Sequence, residues 1–371
     1  MSTEPEYTAA ILGCGRIGYS LALDAKREQP ASHTSALNGN PRIRITSACD
    51  IDRKALDAWK NANSQAETFT SSKELYAKNV PDIVVIAVDE KNHLDESLLA
   101  IEAQPKLIIL EKPVATNMKS AMKILQKSRE KNVPVLVNHE RRFSNDYILA
   151  KQSMEKIGEL QSVRASLMSG MAVYNPAEES SGAYSLLHDG THLADAVLFF
   201  LENDGFSTVR QSYENERGLL WRALHLKNSR WQNSLLCNPV ISGVYRDDKK
   251  CVRQMSAHYS TKECPDVNLF VSGRSKYFGF EIELTGTLGR ITVGNGIFNV
   301  ETREESSLYT GFYSLKKNDD VKAPKKTGYF SNMVQNAVDF LDGREKLRSS
   351  LESGINAQAV MEEIKDLLSK G

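Results

Sequence analysis

The sequence predicts an α/β protein, with a doubly wound parallel sheet first and an α+β domain after it. Three observations support this fold class. The chain has 371 residues, which is more than one hydrophobic core usually serves. Its first part alternates continuous apolar runs with segments of helical period. Its second part is rich in alternating segments bounded by glycine, as in an antiparallel sheet.

Composition excludes several classes of protein. Lys+Arg and Asp+Glu both number 47, so the net charge is zero and nothing points to nucleic acid or anionic lipid as a partner. The five cysteines lack the paired short spacing of a disulfide framework or a zinc site. The first residues do not form a signal peptide, and no apolar run approaches the roughly 18 residues that span a bilayer. We expect a reduced cytoplasmic protein without metal, and without nucleic acid or membrane as partner.

The first domain, residues 1–141, is assigned five strands and three helices. The strands are continuous apolar runs, which is typical of parallel strands covered on both faces. Asn117 is expected to cap the third helix. The strand segments are "YTAAIL", "RIRITSACD", "DIVVIAV", "KLIILE" and "VPVLVN", and the helical segments are "IDRKALDAWKNAN", "NHLDESLLAIEA" and "NMKSAMKILQKSREKN".

The second domain, residues 142–371, is predicted to carry a large, mostly antiparallel sheet with one open face. An amphipathic helix, "THLADAVLFFLEN", comes first, and helical patterns at 330–342 and 353–369 close the chain. Between them lie the strand-forming segments "GLLWRALHLKN", "NLFVSGRSKYFGFEIELTG" and "GRITVGNGIFNVET".

The segment "ILGCGRIG" places Gly13, Gly15 and Gly18 in a G-x-G-x-x-G pattern directly after the first strand. In a Rossmann domain the first glycine permits a tight turn, the second lets a pyrophosphate approach, and the third lets the helix pack against the strand. The following helix would present its free N–H groups to the phosphates. The pattern predicts a dinucleotide site, and the alternative is a purely structural turn.

Asp50 ends the second strand, where a carboxylate accepts hydrogen bonds from the adenine ribose. It lies further past Gly18 than the usual distance of about 20 residues, because of the polar insert "KREQPASHTSALNGNP". A carboxylate repels the 2′-phosphate of NADP, so NAD is the favoured cofactor. NADP remains an alternative because the nearby Arg53 could pair with that phosphate. Alternatively, Asp50 only caps the next helix.

Glu111 and Lys112 follow the strand "LIIL", and Pro113 fixes the turn after them. Ligands of open α/β sheets bind beyond the carboxyl ends of the strands. A lysine there can donate to a substrate oxygen and stabilise developing negative charge. The alternative is a solvated ion pair in a loop.

His188, Asp189 and His192 stand together at the start of an apolar helix in "SLLHDGTHLADAVLFFL". The two histidines are four residues apart and share a helical face. No third ligand follows at a recognisable spacing, so an acid–base role is favoured over a metal site. Capping by Asp189, with the histidines at the surface, is the alternative.

The order of these motifs resembles the Gfo/Idh/MocA family, the glucose–fructose oxidoreductase and inositol dehydrogenase group. The resemblance spans nearly the whole chain and extends to "NHERRF", "ELTGTLGRITV" and "LESGINAQAVMEEI". It implies that Lys112 lies beside the nicotinamide and that His192 is the base for the substrate hydroxyl. It also implies that the open sheet face forms a homodimer or homotetramer. Further candidates are Arg16, Ile17, Val88 and His93, with Glu111 and Lys112, for the cofactor, and Arg142 and Tyr174 for the substrate.

Two positions depart from the family pattern. His188 occupies the usual aspartate position of Asp-x-Gly-x-His, with Asp189 one place later, so either could serve the proton relay. Val88-Asp89 replaces the usual Thr-Pro after the fourth strand.

The resulting expectation is an NAD(P)-dependent oxidoreductase that transfers hydride between a secondary alcohol and the nicotinamide. The substrate class is a sugar, cyclitol or nucleotide-sugar. Two alternatives stay open: a non-redox lyase or glycosidase that uses NAD transiently, and a binding protein that senses dinucleotide or sugar. The latter would be expected to have lost Lys112 or His192.

Overall fold

A computed structural model describes residues 7–181, 186–202 and 236–370. These residues form two compact units. The first comprises the described chain up to Phe143 together with Gly328–Ile355, and the second comprises the rest. The division of the chain at residue 141 stays a prediction. The strand expected at "GLLWRALHLKN" lies outside the described residues.

The first unit contains a six-stranded, fully parallel sheet, which confirms the predicted fold class. Its order is β3-β2-β1-β4-β5-β6. Successive strands are therefore added on one side of β1 up to β3 and on its other side from β4 onward. Such a switch point is where open α/β sheets bind ligands. The strands are β1 (Tyr7–Leu12), β2 (Ile43–Cys49), β3 (Glu67–Phe69), β4 (Ile83–Ile86), β5 (Leu107–Leu110) and β6 (Val135–Val137).

The predicted continuous apolar runs are buried throughout β4, β5 and β6, as expected for strands covered on both faces. Asn117 caps its helix as predicted, because its side chain accepts a hydrogen bond from the Ser120 amide at 2.9 Å. The helices of this unit are α1 (His33–Asn38), α2 (Arg53–Ala62), α3 (Ser72–Lys78), α4 (His93–Ala103), α5 (Met118–Lys131) and α9 (Tyr329–Leu341).

Helix α1 lies inside the insert "KREQPASHTSALNGNP", for which the sequence analysis predicts no secondary structure. Ser32 begins it with a capping box, accepting from the Ser35 amide while the Ser35 hydroxyl accepts from the Ser32 amide. The buried face of α1 carries His33, Thr34 and Leu37. The insert is therefore part of the core of this unit.

The second unit contains an eight-stranded sheet of order β14-β13-β12-β11-β7-β10-β9-β8, in which only the β10–β7 pair is parallel. One face is apolar and buried, with Val163, Ala165 and Leu167 alternating along β7. The strands are β7 (Leu160–Met168), β8 (Val240–Arg246), β9 (Val252–Tyr259), β10 (Asp266–Ser272), β11 (Gly279–Gly286), β12 (Gly289–Gly294), β13 (Ile297–Glu305) and β14 (Tyr313–Lys317).

The helices of the remaining chain are α6 (Asn145–Gln152), α7 (Pro176–Ser181), α8 (Leu186–Leu201) and α10 (Leu351–Lys370). The apolar part of α8 belongs to the core of the second unit, with Leu193, Val197 and Phe200 buried. None of the helices in the described part of the chain combines the length and apolar character that crossing a bilayer requires.

Candidate active site

The three glycines after β1 differ in how much space a side chain would have. Gly13 has φ +96°, and a Cβ there would lie 2.4 Å from the Ala87 carbonyl oxygen. A Cβ on Gly18 would lie 1.9 Å from the Gly13 carbonyl oxygen. A Cβ on Gly15 would meet no atom within 4 Å. The first and third glycines therefore serve close packing, and the second leaves open space beside the loop, where a pyrophosphate needs it.

No α-helix follows this loop, so the expected helix N-terminus for the phosphates is wrong. The segment forms turns and a short 3₁₀ helix at Ser20–Leu23, with no buried residue. The reason is competition for carbonyl groups: the Ile17 and Gly18 oxygens accept from the amides of His33 and Thr34, each at 3.0 Å. Those oxygens would otherwise accept the first bonds of a continuing helix.

Asp50 faces the loop and does not cap α2. Its Oδ2 accepts from the Cys14 amide at 2.7 Å, and its Oδ1 accepts from the Asp52 amide at 2.8 Å. Asp52 is the N-cap of α2, since its carboxylate accepts from the Lys54 and Ala55 amides. The capping alternative for Asp50 is therefore wrong. The carboxylate braces the glycine loop and still has acceptor capacity for ribose hydroxyls.

Gly13, Gly15, Asp50 and Val88 line one cleft of about 1150 Å³. The cleft lies at the carboxyl edge of the sheet, and its size suits a large ligand such as a dinucleotide. Gly15 is open toward solvent, which leaves the approach to the loop clear. Of the other proposed cofactor residues in this loop, Arg16 is exposed and Ile17 is half-buried.

Glu111 is not a solvated residue at a loop, because only 6% of its surface is exposed. Its Oε1 lies 2.7 Å from His33 Nε2 and accepts from Asn138 Nδ2 at 2.6 Å. Burial raises the pKa of Glu111, but the contacts with His33, Asn138 and the Lys112 charge lower it by more. The side chain is a carboxylate, so His33 Nε2 is the donor. Lys112 follows it, half-buried.

His93 is completely buried and contacts backbone carbonyl groups. Its Nδ1 lies 2.7 Å from the Pro113 oxygen, and its Nε2 lies 3.2 Å from the Val88 oxygen. Burial lowers the pKa of His93 more than the two carbonyl contacts raise it, so the ring is neutral near pH 7. The ring joins the end of β4 to the turn after Lys112. A direct contact of His93 with the cofactor stays a prediction.

His139 and Arg142, from "NHERRF", lie in the interior of the first unit. Burial lowers the pKa of His139 to about 3, and the charges of Arg142 and Lys112 add to the effect. His139 is therefore a neutral group among cations. Arg142 is 2% exposed in this structure, and its role in substrate binding stays a prediction.

His188, Asp189 and His192 lie in the N-terminal half of α8. His188 Nε2 is 3.8 Å from Asp189 Oδ1, and His192 follows one turn later, half-buried. Because α8 already begins at Leu186, Asp189 is in its first turn and does not cap it. Tyr174 bonds through its backbone to Val252, and burial raises the pKa of its hydroxyl. The roles of these residues stay predictions.

Sequence reasoning missed His33, Asn138 and the buried Asp195 of α8. The signal for His33 was the capping pattern Ser-x-x-Ser before Ala36 and Leu37, which marks a buried helix. Asn138 follows the apolar run "VLV" at the same sheet edge as Glu111. Asp195 stands three residues after His192, on the same face of the helix.

The parallel sheet, the glycine loop and the cleft at its carboxyl edge fit a dinucleotide-binding protein. Residues 7–139 match the profile of the Gfo/Idh/MocA family, described as an oxidoreductase family with an NAD-binding Rossmann fold. This match confirms the predicted resemblance to the family, the enzyme class and NAD as the cofactor. The search of curated proteins finds no match for this chain.

Solved structures share the fold over nearly the full chain. A dehydrogenase from Chromobacterium violaceum has 14% identity and a TM-score of 0.74, covering 98% of this chain and 96% of its own. An oxidoreductase from Agrobacterium radiobacter, solved with NAD⁺, L-tartaric acid and magnesium, has 16% identity and a TM-score of 0.70, covering 99% and 97%. The WlbA dehydrogenase from Bordetella pertussis, solved with NADH and UDP-GlcNAcA, has 15% identity and a TM-score of 0.69, covering 98% and 97%. At these identities the likeness shows the fold alone.

Proposed function

We propose that this protein is an NAD-dependent dehydrogenase that oxidises a secondary alcohol of a sugar, cyclitol or nucleotide-sugar. The observation that carries the proposal is the environment of Lys112. The lysine stands at the carboxyl edge of the NAD-binding sheet, directly after a buried carboxylate and before a carbonyl bonded to His93. A lysine whose two neighbours are held in this way can present its positive charge to a reacting oxygen that develops negative charge.

Each residue has a distinct task in this proposal. Gly13, Gly15 and Asp50 hold the dinucleotide, which supplies the hydride acceptor when bound. Lys112 orients and polarises the substrate oxygen. His192 takes the hydroxyl proton as a general base, assisted by His188 or Asp189. Arg142 and Tyr174 grip the substrate. The ligands of the Agrobacterium and Bordetella structures, a hydroxy acid and a nucleotide-sugar, support this class of substrate.

The non-redox alternative is favoured by one observation. The carboxylate that the family places four residues before His192 is replaced by His188, with Asp189 3.8 Å from the His188 ring. A changed acid–base pair is compatible with elimination or glycoside cleavage that uses NAD transiently.

The proposal includes three further points. NAD is preferred over NADP, because Asp50 lines the cleft with a carboxylate. The protein works as a homodimer or homotetramer formed through the second unit. It acts in the cytoplasm, in keeping with its unpaired cysteines.

Calorimetry with NAD⁺ and NADP⁺, followed by a panel of inositols, aldoses and nucleotide-sugars read at the NADH absorbance band, tests the proposal. We expect tighter binding of NAD⁺ and turnover on one class of the panel. Lys112→Ala should lower turnover by about a hundredfold or more, because it removes charge stabilisation of the reacting oxygen. Lys78→Ala is the matched control, since Lys78 forms only an exposed ion pair with Glu67. Tight binding of NAD⁺ with no reduction on any member would contradict the dehydrogenase proposal.

A further inference from the structure

Lys112 is the middle residue of a turn that two buried histidines fix on either side. On one side His33 holds the Glu111 side chain at 2.7 Å, and on the other His93 holds the Pro113 carbonyl at 2.7 Å. Both imidazole rings are completely buried. His93 is a predicted cofactor residue, whereas no pattern in the sequence predicts a role for His33.

His33 itself is held rigidly. Its ring packs edge-on against Phe330 with the ring centroids 5.2 Å apart, and its amide donates to the Ile17 carbonyl. Thr34 beside it donates from its hydroxyl to the Gly18 carbonyl at 2.6 Å. Helix α1 therefore contacts the glycine loop through two backbone amides and the Thr34 hydroxyl, and it contacts Glu111 through the His33 ring.

Glu111 depends on these contacts because a buried carboxylate is costly unless donors satisfy it. Its Oε1 accepts from both His33 and Asn138. The charged and titratable groups around it are Lys112, which lowers its pKa, and the neutral His139, itself close to Arg141 and Arg142. Losing the His33 donor would leave the carboxylate held from one side only, at the residue that precedes Lys112.

We propose that His33 is a positioning residue for Lys112 and acts through Glu111. The proposal rests on the catalytic role of Lys112 proposed above. His33 is not among the residues that line the cleft, and the side chain that its ring bonds is that of Glu111. Its effect is to fix the strand end from which Lys112 projects, since small misplacements of a catalytic group cost large factors in rate.

Two substitutions separate the hydrogen bond from the packing. His33→Phe keeps a ring against Phe330 but removes the donor, and His33→Gln retains an amide donor at nearly the same reach. Ser128→Ala is the matched control, because it removes a buried hydrogen bond of 2.7 Å to the Val133 carbonyl, in the same unit and unconnected to Glu111. Glu111→Gln completes a double-mutant cycle with His33→Phe, which measures their coupling. If His33→Phe does not fold, Glu111→Gln alone tests whether the carboxylate affects turnover.

The first readout is steady-state turnover together with NAD⁺ calorimetry. We expect His33→Phe to lower kcat by about tenfold or more with unchanged NAD⁺ affinity, because the lysine is displaced while the cleft is intact. His33→Gln should recover most of the loss, and His33→Phe should add nothing to Glu111→Gln. Equal kcat in His33→Phe and Ser128→Ala, or no recovery in His33→Gln, would overturn the proposal. If only Glu111→Gln folds, wild-type turnover in that variant would overturn it.

The second readout needs no substrate, so it stands even if the proposed dehydrogenase activity fails. The amine of Lys112 is labelled with a short pulse of acetic anhydride, and the peptide is quantified by mass spectrometry against the exposed Lys78 as internal reference. We expect a faster Lys112 reaction in His33→Phe than in wild type, with His33→Gln and Ser128→Ala unchanged. The same Lys112 reactivity in all four proteins would overturn the positioning role.

Discussion

The three glycines of the phosphate loop can be distinguished by substitution, because each has different surroundings. We expect Gly15→Ala to fold with a free energy of unfolding close to that of wild type, since its Cβ would meet no atom within 4 Å. The methyl group would occupy the space a pyrophosphate approaches, so NAD⁺ affinity should fall by about tenfold or more.

Gly18→Ala gives the opposite result, because its Cβ would lie 1.9 Å from the Gly13 carbonyl oxygen. A backbone clash of this kind should cost more than about 3 kcal/mol of folding free energy. Thermal unfolding and NAD⁺ calorimetry on both variants check the contrast. A strongly destabilised Gly15→Ala, or one that binds NAD⁺ as tightly as wild type, would contradict this account of the loop.

At the scale of residues, the sequence predicted whatever depends on local pattern. Asn117 was identified as a cap from its own position, and Asp50 was placed at the cleft from its position after β2. His33 was not found, because its partner Glu111 is distant in the chain and only the folded sheet brings them to 2.7 Å. A buried polar pair of this kind leaves no periodic signal in either segment.

At the scale of elements, Asp82 links the amino ends of three neighbouring strands, β1, β4 and β5. It stands just before β4 and accepts from the amide and hydroxyl of Thr8 in β1, each at 2.8 Å, and pairs with Lys106 next to β5. Partial burial raises the pKa of Asp82, but Lys106 and Thr8 lower it by more, so the folded-state pKa is below its usual value. This edge is opposite the ligand edge of the sheet.

The pH dependence of stability follows from that direction. The folded-state pKa of Asp82 is depressed, so its contribution is fully present above the unfolded-state value of about 3.9 and is lost as pH falls through the folded-state value. We expect the melting temperature of Asp82→Asn to fall less steeply below about pH 4 than that of wild type. Asp57→Asn, at an exposed position of α2, is the control. If the melting temperatures of Asp82→Asn and wild type fell equally steeply with pH, Asp82 would not contribute to the pH dependence of stability.

The elements that the sequence predicted are those with long apolar patterns. The predicted apolar runs contain five of the six strands, namely β1, β2, β4, β5 and β6. The sixth strand, β3, was not predicted because it has only three residues and lies in no apolar run. The helix expected after the glycine loop does not form, because α1, which lies inside the insert, donates its first amides to the Ile17 and Gly18 carbonyls. Competition between two segments for the same acceptors cannot be read from either segment alone.

At the scale of the whole molecule, the second unit exposes apolar side chains at the β13–β14 hairpin. Leu308 is 78% exposed, and Tyr309 and Phe312 form an exposed edge-on ring pair with centroids 6.1 Å apart. Clustered exposed apolar groups mark interaction surfaces. We expect this hairpin to contribute to the proposed homo-oligomer.

Leu308→Asp combined with Phe312→Asp should reduce the assembly size in analytical ultracentrifugation, because charges replace apolar side chains that the proposed interface would bury. Leu23→Asp, at another exposed leucine in the first unit, is the control and should leave the size unchanged. An unchanged sedimentation coefficient in the double variant would exclude the hairpin from the interface, and a monomeric wild type would remove the oligomer proposal.

The fold class, the family and the NAD cofactor could be predicted from sequence, because the glycine loop and the apolar strands are local and ordered along the chain. The substrate could not, because one scaffold hosts many chemistries and its choice depends on side chains from distant segments. Assignments such as Arg142 and Tyr174 therefore stay predictions.

In the proposed reaction a substrate alcohol is oxidised with net transfer of hydride to NAD⁺. The most direct test is the stoichiometry of a reaction with the active member of the panel, with NADH measured by absorbance and consumed substrate by chromatography. We predict one NADH per substrate consumed in the wild type, and neither quantity changing in Lys112→Ala on the same time scale. Substrate consumption with no net NADH would contradict the claim and establish the non-redox use of NAD.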